Sequence, residues 1–199
     1  MTKKRAKEGT MYPQFEIVSG EVRVTDPCYD KDTWCSAGVK GLKKGAWNAF
    51  VRKSDEKDWG NRCADLFVWH SDYQKDEVFG IITRKKKRDE EYDEIKGGMG
   101  QKEISASIGV DSGQAGVFDA QFFKDDKAVQ GVARVNKGEA ICENEPWYSM
   151  CCDRTLSEKS WGTIPYGAVS SSGFGDGSYT AYECLNNKKE VVGIRIVFL

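Results

Sequence analysis

Three aspartates carry most of the chemistry this chain offers, and the densest setting belongs to Asp176. It lies in Ser170-Ser171-Ser172-Gly173-Phe174-Gly175-Asp176-Gly177-Ser178-Tyr179. Glycines at alternate positions let the backbone turn tightly or approach another group closely, so a short loop presents the carboxylate. A carboxylate presented in this way binds a cation, a hydroxyl or an amine, with the serines as secondary hydrogen-bond donors. The same residue also serves a structural purpose if it accepts hydrogen bonds from the amides of its own turn. Two familiar sites are excluded. The Gly-Lys-Ser/Thr ending of a phosphate-binding loop is absent, as are the several acids and final glutamate of a calcium helix-loop-helix.

Asp26 and Asp119 share a position in a repeated phrase. Ser19-Gly20-Glu21-Val22-Arg23-Val24-Thr25-Asp26 is echoed by Ser112-Gly113-Gln114-Ala115-Gly116-Val117-Phe118-Asp119, and each has an aromatic three residues on, Tyr29 and Phe122. If a twofold relates the copies, the aspartates meet across the interface between halves. Two carboxylates held close separate their pKa values and divide acid and base roles, or they bind a hard cation such as calcium or magnesium. If each instead caps its own turn, Ser19 and Ser112 are the local partners and no site results.

Other reactive groups are less well placed. The adjacent Cys151 and Cys152 do not form a chelating Cys-x-x-Cys unit. The single histidine, His70, follows a hydrophobic strand and is expected to be exposed, with nothing nearby to make it half of a Cys-His pair or a hydroxyl triad. Trp47, Phe50, Phe67, Trp69, Tyr179, Tyr182 and Phe198 fall on strand spacing and read as core. Trp147, Tyr148 and Trp161 differ, because they flank an unmatched insertion in polar surroundings. They are candidates for an aromatic-lined recognition groove.

The elements that must hold these residues are strands. Beyond the Ser-Gly phrase, Gly45-Ala46-Trp47-Asn48-Ala49-Phe50 and Ala64–Trp69 in the first half match Gly177-Ser178-Tyr179-Thr180-Ala181-Tyr182 and Val192–Phe198 in the second. Internal repetition governs the fold, so we expect a mainly β protein with little helix. Two related halves would form an antiparallel sandwich or distorted barrel. A flexible basic tail covers 1–14 and the first β half 15–83. A charged and glycine-rich connector spans 84–103, and the second half 104–199 carries an insertion near 136–161. The halves form one domain. Arg84-Lys85-Lys86-Lys87-Arg88 is followed by Asp89-Glu90-Glu91 and then Asp93-Glu94, a run that compensates itself. Thr155 and Glu158 have capping-box spacing, which predicts one short helix starting there.

Lys and Arg total 30 against 31 Asp and Glu, a net charge of -1 that favours neither nucleic acid nor an anionic membrane as partner. Seven cysteines, an odd number without an export signal, suggest free thiols and a cytoplasmic protein. The leading reading is a non-enzymatic binding or protein-interaction module with a protein or small-molecule partner, and the twofold pattern also admits a homodimer. The competing reading is a small hydrolase or lyase using a carboxylate cluster, with or without a divalent metal. No cofactor is expected beyond that calcium or magnesium.

Asp111–Asp119, Tyr166–Tyr179 and the ending Val192–Phe198 resemble a family of small bacterial and bacteriophage proteins catalogued as a domain of unknown function, DUF4241. The resemblance covers most of 108–199 and, more loosely, 16–70. It implies a bacterial or phage cytoplasmic protein and carries no activity, cofactor or catalytic residue with it.

Overall fold

Alternation of apolar and polar side chains along Phe15–Ile17 and Val22–Val24 buries one face of each segment, as a half-buried strand requires. Between them Gly20 adopts φ +78, and its counterpart Gly113 adopts φ +70, a left-handed backbone that glycine enters without steric cost. The computed structural model describes residues 11–88, 90–104, 107–136, 142 and 144–199. The basic tail expected over 1–14 falls outside the described residues up to position 10, as does part of the expected insertion.

The strands are β1 (Gln14–Ile17), β2 (Glu21–Thr25), β3 (Ala37–Lys40), β4 (Gly45–Asp55), β5 (Asn61–His70), β6 (Ile81–Lys87), β7 (Glu90–Lys96) and β8 (Lys102–Glu103), then β9 (Ile108–Val110), β10 (Gln114–Asp119), β11 (Trp161–Ile164), β12 (Gly167–Ser171), β13 (Gly177–Leu185) and β14 (Val191–Val197). Among the described residues two α-helices, α1 (Lys75–Phe79) and α2 (Pro146–Thr155), and two 3-10 turns, Lys57–Trp59 and Asp126–Val129, complete the set. One sheet runs β1-β4-β5-β14-β13, with β8 and β9 both on the far edge of β13. A second runs β11-β12-β10-β2-β3, and β6-β7 is a separate hairpin. The protein is mainly β and antiparallel, as expected, and its sheets do not close into a barrel. Val22, Val24 and Val117 from the second sheet meet Trp47, Leu66, Val68, Ile194 and Ile196 from the first in one core.

Both sheets are also covered outside. Phe67 and Trp69 of β5 pack under Val78 and Phe79 of α1. Phe118 of β10 and Val169 of β12 pack under Trp147, Met150 and Cys151 of α2. Burial on both faces explains why Leu66–Trp69 is uniformly apolar, since a strand with no solvent face has no reason to alternate.

The strand order is symmetric about the central pair of each sheet except for the added edge strands β8 and β11. β2 and β10 pair with Val24 opposite Val117 and Thr25 opposite Gly116. β5 and β14 pair with Phe67 opposite Arg195. Outside these central pairs β4 lies across from β13, and β1 from β9.

Two local expectations change. The helix does not begin at Thr155; α2 ends there. Pro146 at its first turn has the fixed φ that suits a helix start, and Asp126 accepts the Trp147 amide at 2.9 Å. The Thr155 hydroxyl turns back to Gln114 Oε1 at 2.9 Å. The charged run at 84–94 is folded as the β6–β7 hairpin, with Arg84 opposite Asp93 and Lys86 opposite Glu91. Its inward residue Asp93 bonds Arg52 at 2.9 Å and Arg195 at 3.0 Å, and both arginines also clasp buried Asp65.

Candidate functional site

Asp26 and Asp119 are buried and do not converge. Val22 lies opposite Asp119 and Thr25 opposite Gly116, so the aspartates sit at opposite ends of the paired run, roughly 13 Å apart along the strand direction. The local twofold separates them because it passes through Val24 and Val117, midway between. Each carboxylate holds the Ser-Gly turn of the other segment rather than the one that precedes it in its own. Asp26 Oδ2 accepts the amides of Asp111 (2.9 Å) and Ser112 (2.7 Å), and Oδ1 accepts the Ser112 hydroxyl (2.6 Å) and the Cys28 amide (2.8 Å). Asp119 Oδ2 accepts the amides of Val18 (2.6 Å) and Ser19 (2.8 Å), and Oδ1 that of Gln121 (2.9 Å). Ser19 is a partner of Asp119 and Ser112 of Asp26, which replaces the expected local caps by crossed ones. With every carboxylate oxygen accepting hydrogen bonds, both residues act as tethers between the halves.

Asp176 lies elsewhere, and its setting is open. The Ser172 amide donates to the Gly113 carbonyl at 3.0 Å, so the glycine-rich loop hangs from the turn that Asp26 holds. Ser172 and Gly175 close the loop between them, and the Tyr179 hydroxyl donates to their carbonyls at 2.9 and 2.6 Å. Asp176, exposed at the end of this loop, lines a cleft of about 390 Å³ together with Tyr29, Trp34, Cys35, Asp111 and Ser178. Gly109 forms its floor: a Cβ there would stand 2.8 Å from Cys35 Sγ and 3.4 Å from the Tyr29 hydroxyl. Burial, then Asp111 and Cys35, raise the Tyr29 hydroxyl above its ordinary value, so at neutral pH it is a donor. Trp34 stands at the rim, 89% exposed. On the other side of the loop Phe174 (56% exposed) meets Trp59 (67% exposed) edge to face, with the Arg62 guanidinium 5.7 Å above the Phe174 ring.

The position that matches it in sequence, at the other end of the sandwich, carries different residues. There Val18 precedes Ser19 as Asp111 precedes Ser112, and Lys44 precedes β4 as Asp176 precedes β13. Phe122, counterpart of Tyr29, stacks on Tyr166 with ring centroids 3.8 Å apart. The repeated phrase signals Asp26 and Asp119, whereas Asp111 and Asp176, which line the cleft, stand where the two segments differ in sequence.

Trp147, Tyr148 and Trp161 do not form one groove. Trp147 is buried against Phe118 and Phe123. Tyr148 packs at the margin of the same cluster, while half-buried Trp161 lines a separate cavity of about 560 Å³ with Pro13, Arg154 and Lys159. The polar sequence around Trp147 hid a helix that is buried along most of its length, polar residues included. His70 is buried, not exposed: Nε2 donates to the Lys44 carbonyl at 3.1 Å, which leaves Nδ1 to accept the Asp72 amide at 3.2 Å. Burial, then neighbouring Asp26, push the Cys28 thiol up to about 12, and burial raises Cys63, Cys151 and Cys152 as well. Such thiols are poor nucleophiles. Among the described residues no three His, Cys, Asp or Glu side chains stand where they could hold a metal ion. No helix among them is long and apolar enough to cross a membrane.

A family model described as a protein of unknown function (DUF4241) matches residues 15–196. Neither a curated protein nor a solved structure matches the chain.

Proposed function

The chain belongs to the DUF4241 family, and from that premise we propose that it is a non-enzymatic recognition module that binds its partner at the glycine-loop end of the sandwich. The observation that carries this reading is the exposure of Trp34, Trp59 and Phe174 around a single loop whose other residues are tied down. Large aromatics left in water beside a preformed cleft are the anchors of binding surfaces. The carboxylate-enzyme alternative finds less support, because Asp26 and Asp119 are committed to amides and burial raises the Cys28, Cys63, Cys151, Cys152 and Cys184 thiols. We read the symmetric registers as the trace of a duplicated unit in which one of two equivalent ends kept a cleft. The test is affinity capture on the immobilised full chain, followed by calorimetry with the captured partner. Wild type is expected to retain a partner that the Trp34→Ala/Phe174→Ala double variant loses and that Trp161→Ala keeps. Equal capture by all three proteins would place recognition elsewhere.

A further inference from the structure

We infer that the cleft takes an organic cation, an ammonium or guanidinium group, seated on Asp111 and Asp176 with Trp34 against it; this rests on the recognition-module reading above. The wall chemistry fixes the sign of the ligand. Two carboxylates face one cleft, and among the described residues neither has a cationic side chain within ion-pair distance. Tyr29 lines the same cleft as Asp111, and its hydroxyl adds a hydrogen-bonding group to the wall without adding positive charge. An anion would meet two like charges there, whereas a cation would meet two opposite ones.

The ligand class follows from what the walls lack and what they add. A bare calcium ion demands six to eight oxygen ligands at close range, and no metal-holding group of acids exists among the described residues. An organic cation needs fewer contacts and uses an aromatic face for the remainder of its charge and its alkyl or planar surface. Trp34 offers that face at the rim. The neighbouring Arg62 guanidinium over Phe174 repeats the same pairing within the chain. The cleft volume of about 390 Å³ suits a side chain or small amine and sits at the low end for ligand pockets. At the opposite end Lys44 stands in the place of Asp176 and Val18 in that of Asp111, so one cation site per chain is the expected stoichiometry.

The experiment is a titration of the ¹⁵N-labelled full chain with N-acetyl-lysine amide, N-acetyl-arginine amide and butylammonium. N-acetyl-glutamate amide and calcium chloride serve as comparisons. Saturable shifts at the Trp34 indole and the Gly175–Ser178 amides are expected with the organic cations and not with the comparisons. Asp176→Asn and Asp111→Asn are each expected to weaken binding about tenfold, while Lys44→Ala leaves it unchanged. Tighter binding of the amino-acid amides than of butylammonium identifies a protein side chain as the source. Equal or tighter binding of butylammonium identifies a free amine. Absence of saturable shifts in the folded protein, full affinity in Asp176→Asn, or a stronger response to calcium would each overturn the inference. If the cations fail while capture still depends on Trp34 and Phe174, only the cation assignment falls. If capture is insensitive too, the module reading falls with it.

Discussion

Asp119 shows how a single side chain can join two halves of a chain. It accepts three backbone amides, two of them from the opposite Ser-Gly turn. Asp119→Ala removes the one acceptor these three amides share, and charged hydrogen bonds of this kind set the loss at about 3 kcal/mol; urea unfolding measures it. Asp26→Ala should cost a similar amount and, in addition, loosen Asp111 and Tyr29 at the cleft. Asp153 carries the pH dependence. Burial opposes its ionisation, yet the amides of Val135 and Asn136 and the Arg154 and Arg134 guanidiniums hold its carboxyl below the ordinary range. Its folded pKa therefore lies under its unfolded one, so its contribution is complete above the usual carboxylate range and is lost as pH falls through the folded value. Acid titration of unfolding free energy should show a steeper fall below about pH 4 in wild type than in Asp153→Asn. The sequence marked Asp26 and Asp119 as equivalent and important. It could not say which turn each would hold, because the bonded residues are 85 to 101 positions apart.

Strands announced themselves through alternation or, in β5, through an unbroken apolar run, and helices did not. β1, β2, β4, β5, β13 and β14 follow from apolar periodicity and β-branched content. α2 is misplaced by a capping-box reading because Thr155 has the right spacing for a start, while Pro146 and the Asp126 cap fix the start nine residues earlier. The β6–β7 hairpin reads as a solvated run until Asp93 is seen to face inward. It fastens the hairpin to Arg52 and Arg195 over a cavity of about 480 Å³. Asp93→Ala leaves two guanidiniums on Asp65 alone. Hydrogen exchange of the β6–β7 amides is expected to accelerate about tenfold, or about 1.4 kcal/mol, with little change in β10 or β12.

Neither half of the molecule contains a complete sheet. β2 needs β10 beside it, β5 needs β14, and the shared core draws side chains from all four. A chain ending at Glu103 would expose the inner faces of β2 and β5, so it should remain unfolded by circular dichroism. The full chain should unfold in one transition seen alike by far-ultraviolet and tryptophan signals. The sequence by itself determined the β class, most strand positions and the two matching aspartates, since these rest on local composition, periodicity and repetition, and its motifs carried the family resemblance. Only the tertiary structure decided that the aspartates are crossed tethers, that His70 and Trp147 are interior, and that Asp176 shares a cleft with Asp111, Tyr29 and Trp34. The physical reason is that local preference dictates how each strand alternates. Which distant side chains meet is set by sheet register and core packing, and these act only once the two halves close on each other.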